Sequence, residues 1–148
     1  MDEADKSILN QIQSDFPIAS RPFLELGKRV NLPEAEVMER VARLKRDGVI
    51  RRIGGNFHSS RLNFASTLCA AKVPPEKIEQ FVAAVNRYPG VTHNYLRQNA
   101  YNVWFTFIAR DMPEIEASLD AISEETGVRG ILNLPAVRMF KIKVDFEV

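Results

Sequence analysis

What this chain has little of narrows its chemistry first. Its 148 residues hold one cysteine, Cys69, so no internal disulfide can form. Cys69 sits in the apolar run "ASTLCAAKV", which fits a small core residue in a reducing, cytoplasmic setting. The net charge is only +1, so nothing pulls the whole chain toward nucleic acid or an anionic membrane. No apolar run approaches the roughly 18 residues of a transmembrane helix, so no membrane association is expected. The opening "MDEADKSILNQ" is acidic and lacks an apolar core, so no secretory signal is expected either. Histidine is scarce at two residues and tryptophan at one. What remains, 45% apolar and 26% charged, is the composition of a folded soluble protein.

Two rhythms divide the chain, predicting a domain over 1–62 and another over 63–148. In the first, Ile8, Ile12 and Phe16 recur at about one-turn spacing, and Pro17 ends that helix. A second helix begins near Pro22. The turn "NLPEAE" leads into a third over about 34–47, ended by Gly48. "VIRRIGGNF" then reads as a hairpin turning at Gly54-Gly55. Three helices and a hairpin predict a winged helix-turn-helix.

The second region alternates differently. "ASTLCAAKV", "VTHNYLRQ", "NVWFTFIA" and "MFKIKVDFEV" read as strands, with helices over "PPEKIEQFVAAVNRY" and "MPEIEASLDAIS". That order predicts a ferredoxin-like βαββαβ domain, making the whole chain α+β. Its helices cover one sheet face, so something else must cover the other, commonly a second subunit.

One stretch is unusually furnished. "VTHNYLRQNAYNVWF" holds His93, the only tryptophan (Trp104), Tyr95, Tyr101, Arg97 and three asparagines. Strand alternation puts Val91, His93, Tyr95 and Arg97 on one face, and Asn102, Trp104, Thr106 and Ile108 in one row of the next strand. The His-Tyr-Arg row is too polar for a dry core, since an unpartnered buried polar group costs about 1–3 kcal/mol. It needs a ligand, a partner subunit or solvent.

The segment "LGKRVNLPEAEVMERVARLKRDGVIRRIG" resembles the helix-turn-helix of the Lrp/AsnC transcription regulators. "GVIRRIGGNF" and "THNYLR…YNVWFTF", in that order, are similar to the two signature segments of one branch, the siroheme decarboxylases of haem synthesis. The resemblance covers nearly the whole chain. It implies an enzyme, a carboxy-lyase, that removes two acetate carboxyl groups from siroheme to give didecarboxysiroheme and two CO2. It implies pairs of related subunits forming a heterodimer, and no metal or organic cofactor beyond the substrate's own iron. The alternative is a DNA-binding regulator that senses a small ligand or tetrapyrrole; a third reading is a tetrapyrrole carrier without turnover.

A siroheme substrate would use these residue types well. Flat rings pack on aromatic faces, and the Arg fork matches a carboxylate. Loss of CO2 from an acetate arm leaves a carbon that must be protonated, and histidine donates protons near neutral pH. His93 and Arg97 are therefore the candidate catalytic residues: His93 as general acid or axial iron ligand, Arg97 on a carboxylate. Tyr95, Tyr101 and Trp104 are expected to wall the macrocycle, with Asn102 as a polar anchor. Arg51 and Arg52 on the wing, His58 just after it, and Arg138 are further candidate substrate contacts. Many members of the branch carry a second histidine two residues after this arginine. Here that position is Asn99, which can hydrogen-bond but supplies no acid proton, as fits one half of a heterodimer. DNA binding is not expected, because Glu34, Glu36 and Glu39 crowd the N-terminal half of the third helix, where bases and phosphates would be met.

Overall fold

The first helix, α1 (Glu3–Ile12), starts where Asp2 caps it: the Asp2 carboxylate accepts from the Asp5 amide at 2.9 Å and Asp5 returns the bond at 3.0 Å. It stops four residues before Phe16, which packs edge-on against Phe23 at 6.0 Å. Pro22 opens α2 (Pro22–Val30), and Asn31, left-handed at φ 55°, closes it. After Pro33 comes α3 (Glu34–Arg46). Ile8, Leu26, Val37, Val41, Leu44 and Ile50 interlock as the core of the three helices. In this computed structural model the described residues are 1–55, 57–141, 146 and 148.

The expected wing is not formed as paired strands. Among the described residues after Ile50, Arg51, Arg52 and Ile53 are exposed and unladdered. A lone two-stranded hairpin is marginal, and only Ile50 has a core to enter; the return through Asn56 lies outside the described residues.

The second half builds β1 (Ala65–Ala71), α4 (Ile78–Asn86), β2 (Val91–Leu96), β3 (Val103–Ala109), α5 (Met112–Thr126) and β4 (Leu132–Pro135). All neighbours are antiparallel in the order β2-β3-β1-β4, as expected of a ferredoxin-like α+β domain. Cys69, Ala71, Val103, Phe105 and Phe107 pack one sheet face against Phe81, Val85, Ile115, Leu119 and Ile122 of the helices. Phe81–Phe105 and Tyr88–Phe107 meet edge-on at 6.2 and 5.5 Å.

The closing strand is not where periodicity put it. Leu132–Pro135, only four residues, completes the sheet by pairing Leu134 with Leu68 and Leu132 with Ala70. The Asn133 Oδ1 fixes that register by accepting from the Thr67 hydroxyl at 2.6 Å. Met139–Lys141 form no strand, and 142–145 and 147 of the expected strand lie outside the described residues.

The chain packs as two compact units: Met1–Gly55 with Lys141–Val148, and Asn56–Phe140. Within the first, the Phe146 amide donates to the Gln13 side-chain carbonyl Oε1 at 2.8 Å and Asn10 Nδ2 donates to the Val148 carbonyl at 3.2 Å.

Candidate functional site

Sheet alternation turns Leu68, Trp104 and Thr106 away from the helices, onto the open face. There β2 adds His93 and Tyr95, paired with Thr106 and Trp104 respectively. These five, with Arg97 and Asn99 beyond the end of β2, line a cavity of about 490 Å³, within the range of small-molecule sites.

A register slip shapes it. Between Val91 and His93 the β2–β3 ladder bulges. Val91 pairs with Phe107 and packs against the core beneath the helices, whereas His93 faces the open side. The strict alternation that grouped Val91 with His93 is thus corrected. The bulge also sets Thr92 beside Thr106, their hydroxyls 2.7 Å apart.

The polar row becomes a stack. The His93 and Tyr95 rings lie 6.1 Å apart at 23°, and the Arg97 guanidinium sits 5.8 Å from the Tyr95 centroid. Arg97 forms no ion pair with a described residue, so its donors stay available to a carboxylate. His93 Nδ1 lies 3.1 Å from the Thr92 hydroxyl and 3.3 Å from that of Thr106. Trp104 donates its indole N–H to the Tyr101 carbonyl at 2.7 Å, which sets the ring's orientation.

Other candidate residues have other uses. Asn102 clamps the sheet: its Oδ1 accepts from the Val73 amide and its Nδ2 donates to the Val73 carbonyl, both at 2.8 Å. Asn99 lines the cavity while its Oδ1 accepts from the Tyr101 amide at 3.2 Å, holding the β2–β3 turn. Tyr101 itself carries the Lys72 ammonium 4.7 Å above its ring. His58 is exposed, with Nδ1 3.0 Å from the Ser60 hydroxyl. Arg138 lies beyond β4, exposed over Phe140 at 4.9 Å. Neither lines the cavity. Arg51 and Arg52 belong to the first unit, exposed and without an ion pair to a described residue. Leu68, Thr92 and Thr106 were not singled out from sequence; Leu68 and Thr92 needed the register, while Thr106 already shared its row with Trp104. Among the described residues, no cluster of three His, Cys, Asp or Glu side chains could hold a metal ion.

The α3 surface is electrostatically occupied. Arg40 contacts Asp2 at 2.8 Å, Asp5 at 3.0 Å and Glu36 at 2.9 Å, and Arg43 contacts Asp5 at 2.7 Å. Burial pushes the Asp5 carboxyl up, but hydrogen bonds from Arg43, the Asp2 amide and Arg40 outweigh it and hold it well below the usual range. Glu34 is paired with Arg21. Among the described residues, Lys45 and Arg46 are the cations of this helix left without an ion pair.

Fold and open-face cavity together define an AsnC-like ligand-binding domain behind a helix-turn-helix. Family models agree: residues 61–141 match the AsnC-like ligand binding domain and 5–51 the siroheme decarboxylase NirDL-like HTH domain. The siroheme decarboxylase alpha subunit of Desulfovibrio desulfuricans is 55% identical over 99% of this chain and 84% of its own length. That of Oleidesulfovibrio alaskensis is 54% identical over 99% and 89%. The chain belongs to the siroheme decarboxylase family. The crystal structure of the siroheme decarboxylase NirDL superposes with a TM-score of 0.69 at 33% identity, over 98% of this chain and 47% of that one. This chain therefore spans about half the NirDL polypeptide. The leucine response regulatory protein of Mycobacterium tuberculosis reaches 0.82, but at 17% identity it shares the fold alone.

Proposed function

We propose that this chain is a siroheme decarboxylase subunit, acting with a related second subunit in a heterodimer. The observation that carries the reading is the His93–Tyr95–Arg97 stack beside Trp104, lining one cavity, in a chain whose relatives over 99% of its length bear that name. A flat macrocycle edged with carboxylates matches this surface: Tyr95, Trp104 and Leu68 offer aromatic and apolar wall, and Arg97 offers a fork for one carboxylate.

In the reaction the bond between an acetate methylene and its carboxyl breaks, CO2 leaves, and the electron pair passes to the conjugated ring system. A proton then converts the methylene to a methyl group. We assign that proton to His93. An apolar wall favours departure of neutral CO2 over retention of the carboxylate. Two such losses give didecarboxysiroheme, an intermediate of haem synthesis, in a cytoplasmic enzyme. The scheme asks for no metal or organic cofactor of the protein's own, because the iron belongs to the substrate. The partner subunit would cover the open sheet face and supply what Asn99 lacks.

The test is anaerobic incubation of siroheme with this protein, alone and with a related companion, followed by mass spectrometry. Loss of two CO2 is expected with the pair. A shifted absorption spectrum at unchanged mass would make it a carrier, and sequence-specific DNA retention without turnover would make it a regulator.

A further inference from the structure

We propose that Thr92 and Thr106 form a hydroxyl pair that orients His93 and fixes its tautomer, so that the resting enzyme presents Nε2–H to the cavity. The inference rests on the proposed role of His93 and decides between its two forms. It begins with the bulge, which sets Thr92 and His93 together opposite Thr106.

The three groups form a triangle. Thr92 and Thr106 Oγ1 are 2.7 Å apart, Thr92 Oγ1 is 3.1 Å from Nδ1, and Thr106 Oγ1 is 3.3 Å from Nδ1. Each hydroxyl has one proton to donate. The two shorter contacts are both satisfied when Thr106 donates to Thr92 and Thr92 donates to Nδ1. That requires a lone pair on Nδ1, which puts the proton of the neutral ring on Nε2. With the proton on Nδ1 instead, the ring donates to Thr92, and one of the two hydroxyl protons is left without an acceptor within the triangle. Nε2 has no partner among the described residues, so it is the nitrogen left for substrate.

The consequence is chemical. An axial iron ligand needs the Nε2 lone pair and usually donates its other N–H to a fixed acceptor. Here the other nitrogen is held by groups whose favoured arrangement donates to it. The resting neutral ring therefore offers the substrate a hydrogen-bond donor at Nε2 rather than a lone pair to iron; to give a proton it must first become the imidazolium, whose Nδ1–H turns to the Thr92 oxygen. Thr92 and Thr106 are positioning residues; His93 touches the substrate.

The experiment has two arms. First, nitrogen-15 NMR of the ligand-free protein, at a pH where the ring is neutral, reads the tautomer directly. With only two histidines, a His58→Gln spectrum assigns His93. Wild type should show a single Nε2–H tautomer; Thr106→Val and Thr92→Val should show a mixture, and the Thr→Ser variants the wild-type pattern. Second, with siroheme and the companion subunit, the Val variants should lose about tenfold in kcat with KM unchanged, and Ser should restore it. A protonated Nδ1 in wild type, or Val variants with unchanged kcat, overturns the proposal. Should wild type fail to decarboxylate siroheme, the functional reading falls, while the first arm still decides the tautomer.

Discussion

Replacing Asn102 by alanine separates a structural from a substrate-binding role. Its side chain makes two bonds at 2.8 Å to the backbone of Val73, which is 4% exposed. Its own backbone bonds, to Ala71 at 3.0 Å and from Arg97 at 2.7 Å, survive the change. Two lost bonds that leave buried partners unsatisfied cost about 1–3 kcal/mol each. Asn102 is half-buried, so water recovers some of this, and the expected loss is about 2–4 kcal/mol. For a domain of this size that lowers Tm by about 10–25 °C. Trp104 is the only tryptophan and lies in the same unit, so its fluorescence reports unfolding in urea. The midpoint should fall at an unchanged slope. Asn102→Asp should be no milder, because it keeps the acceptor but sets a charge against the Val73 carbonyl. An alanine variant with the wild-type midpoint and weakened siroheme binding would refute the reasoning, and would return the amide to the substrate.

Asp5→Asn should destabilise the helical unit by about 2–3 kcal/mol, since a 1% exposed carboxylate loses charge-assisted bonds to two arginines; amide hydrogen exchange in α1–α3 measures it. The same carboxylate, held low when folded, contributes stability above its unfolded value and loses it as pH falls through the folded one. Acid unfolding of this unit should therefore begin below about pH 4, and an Asp5→Asn profile parallel to wild type would contradict that. Burial pushes the Cys69 thiol up to about 12, so iodoacetamide at pH 8 should label it only in denaturant. Gly90→Ala should cost about 2–4 kcal/mol, because a Cβ there would sit 1.9 Å from the Ile108 carbonyl oxygen and force β2 off β3; an unchanged thermal midpoint would count against it.

Much of this was legible from local pattern. The helices of the first unit follow from the spacing of Ile8, Val37, Val41 and Leu44 and from Pro22 and Pro33, because capping and one-face burial are properties of a few neighbouring residues. Three of the four strands were legible for the same reason. The fourth was not: "LNLP" is too short to show a period, and it is a strand because β1 offers an edge and Thr67 a partner for Asn133. The longer alternation of Phe140, Ile142, Val144 and Phe146 outweighed it on paper.

The sequence alone determined the fold class, the family and the crowding of His93, Tyr95, Arg97 and Trp104 into one hairpin, since these depend on residue identity and near spacing. Tertiary structure decided what each residue does there. It sent Val91 into the core through a bulge, tied Asn102 to Val73, engaged Arg40 and Arg43 with α1 carboxylates, and brought two threonine hydroxyls to His93. Each of these turns on a partner distant in sequence or on a one-residue slip of register. Pairing across strands fixes such things; periodicity along one strand does not.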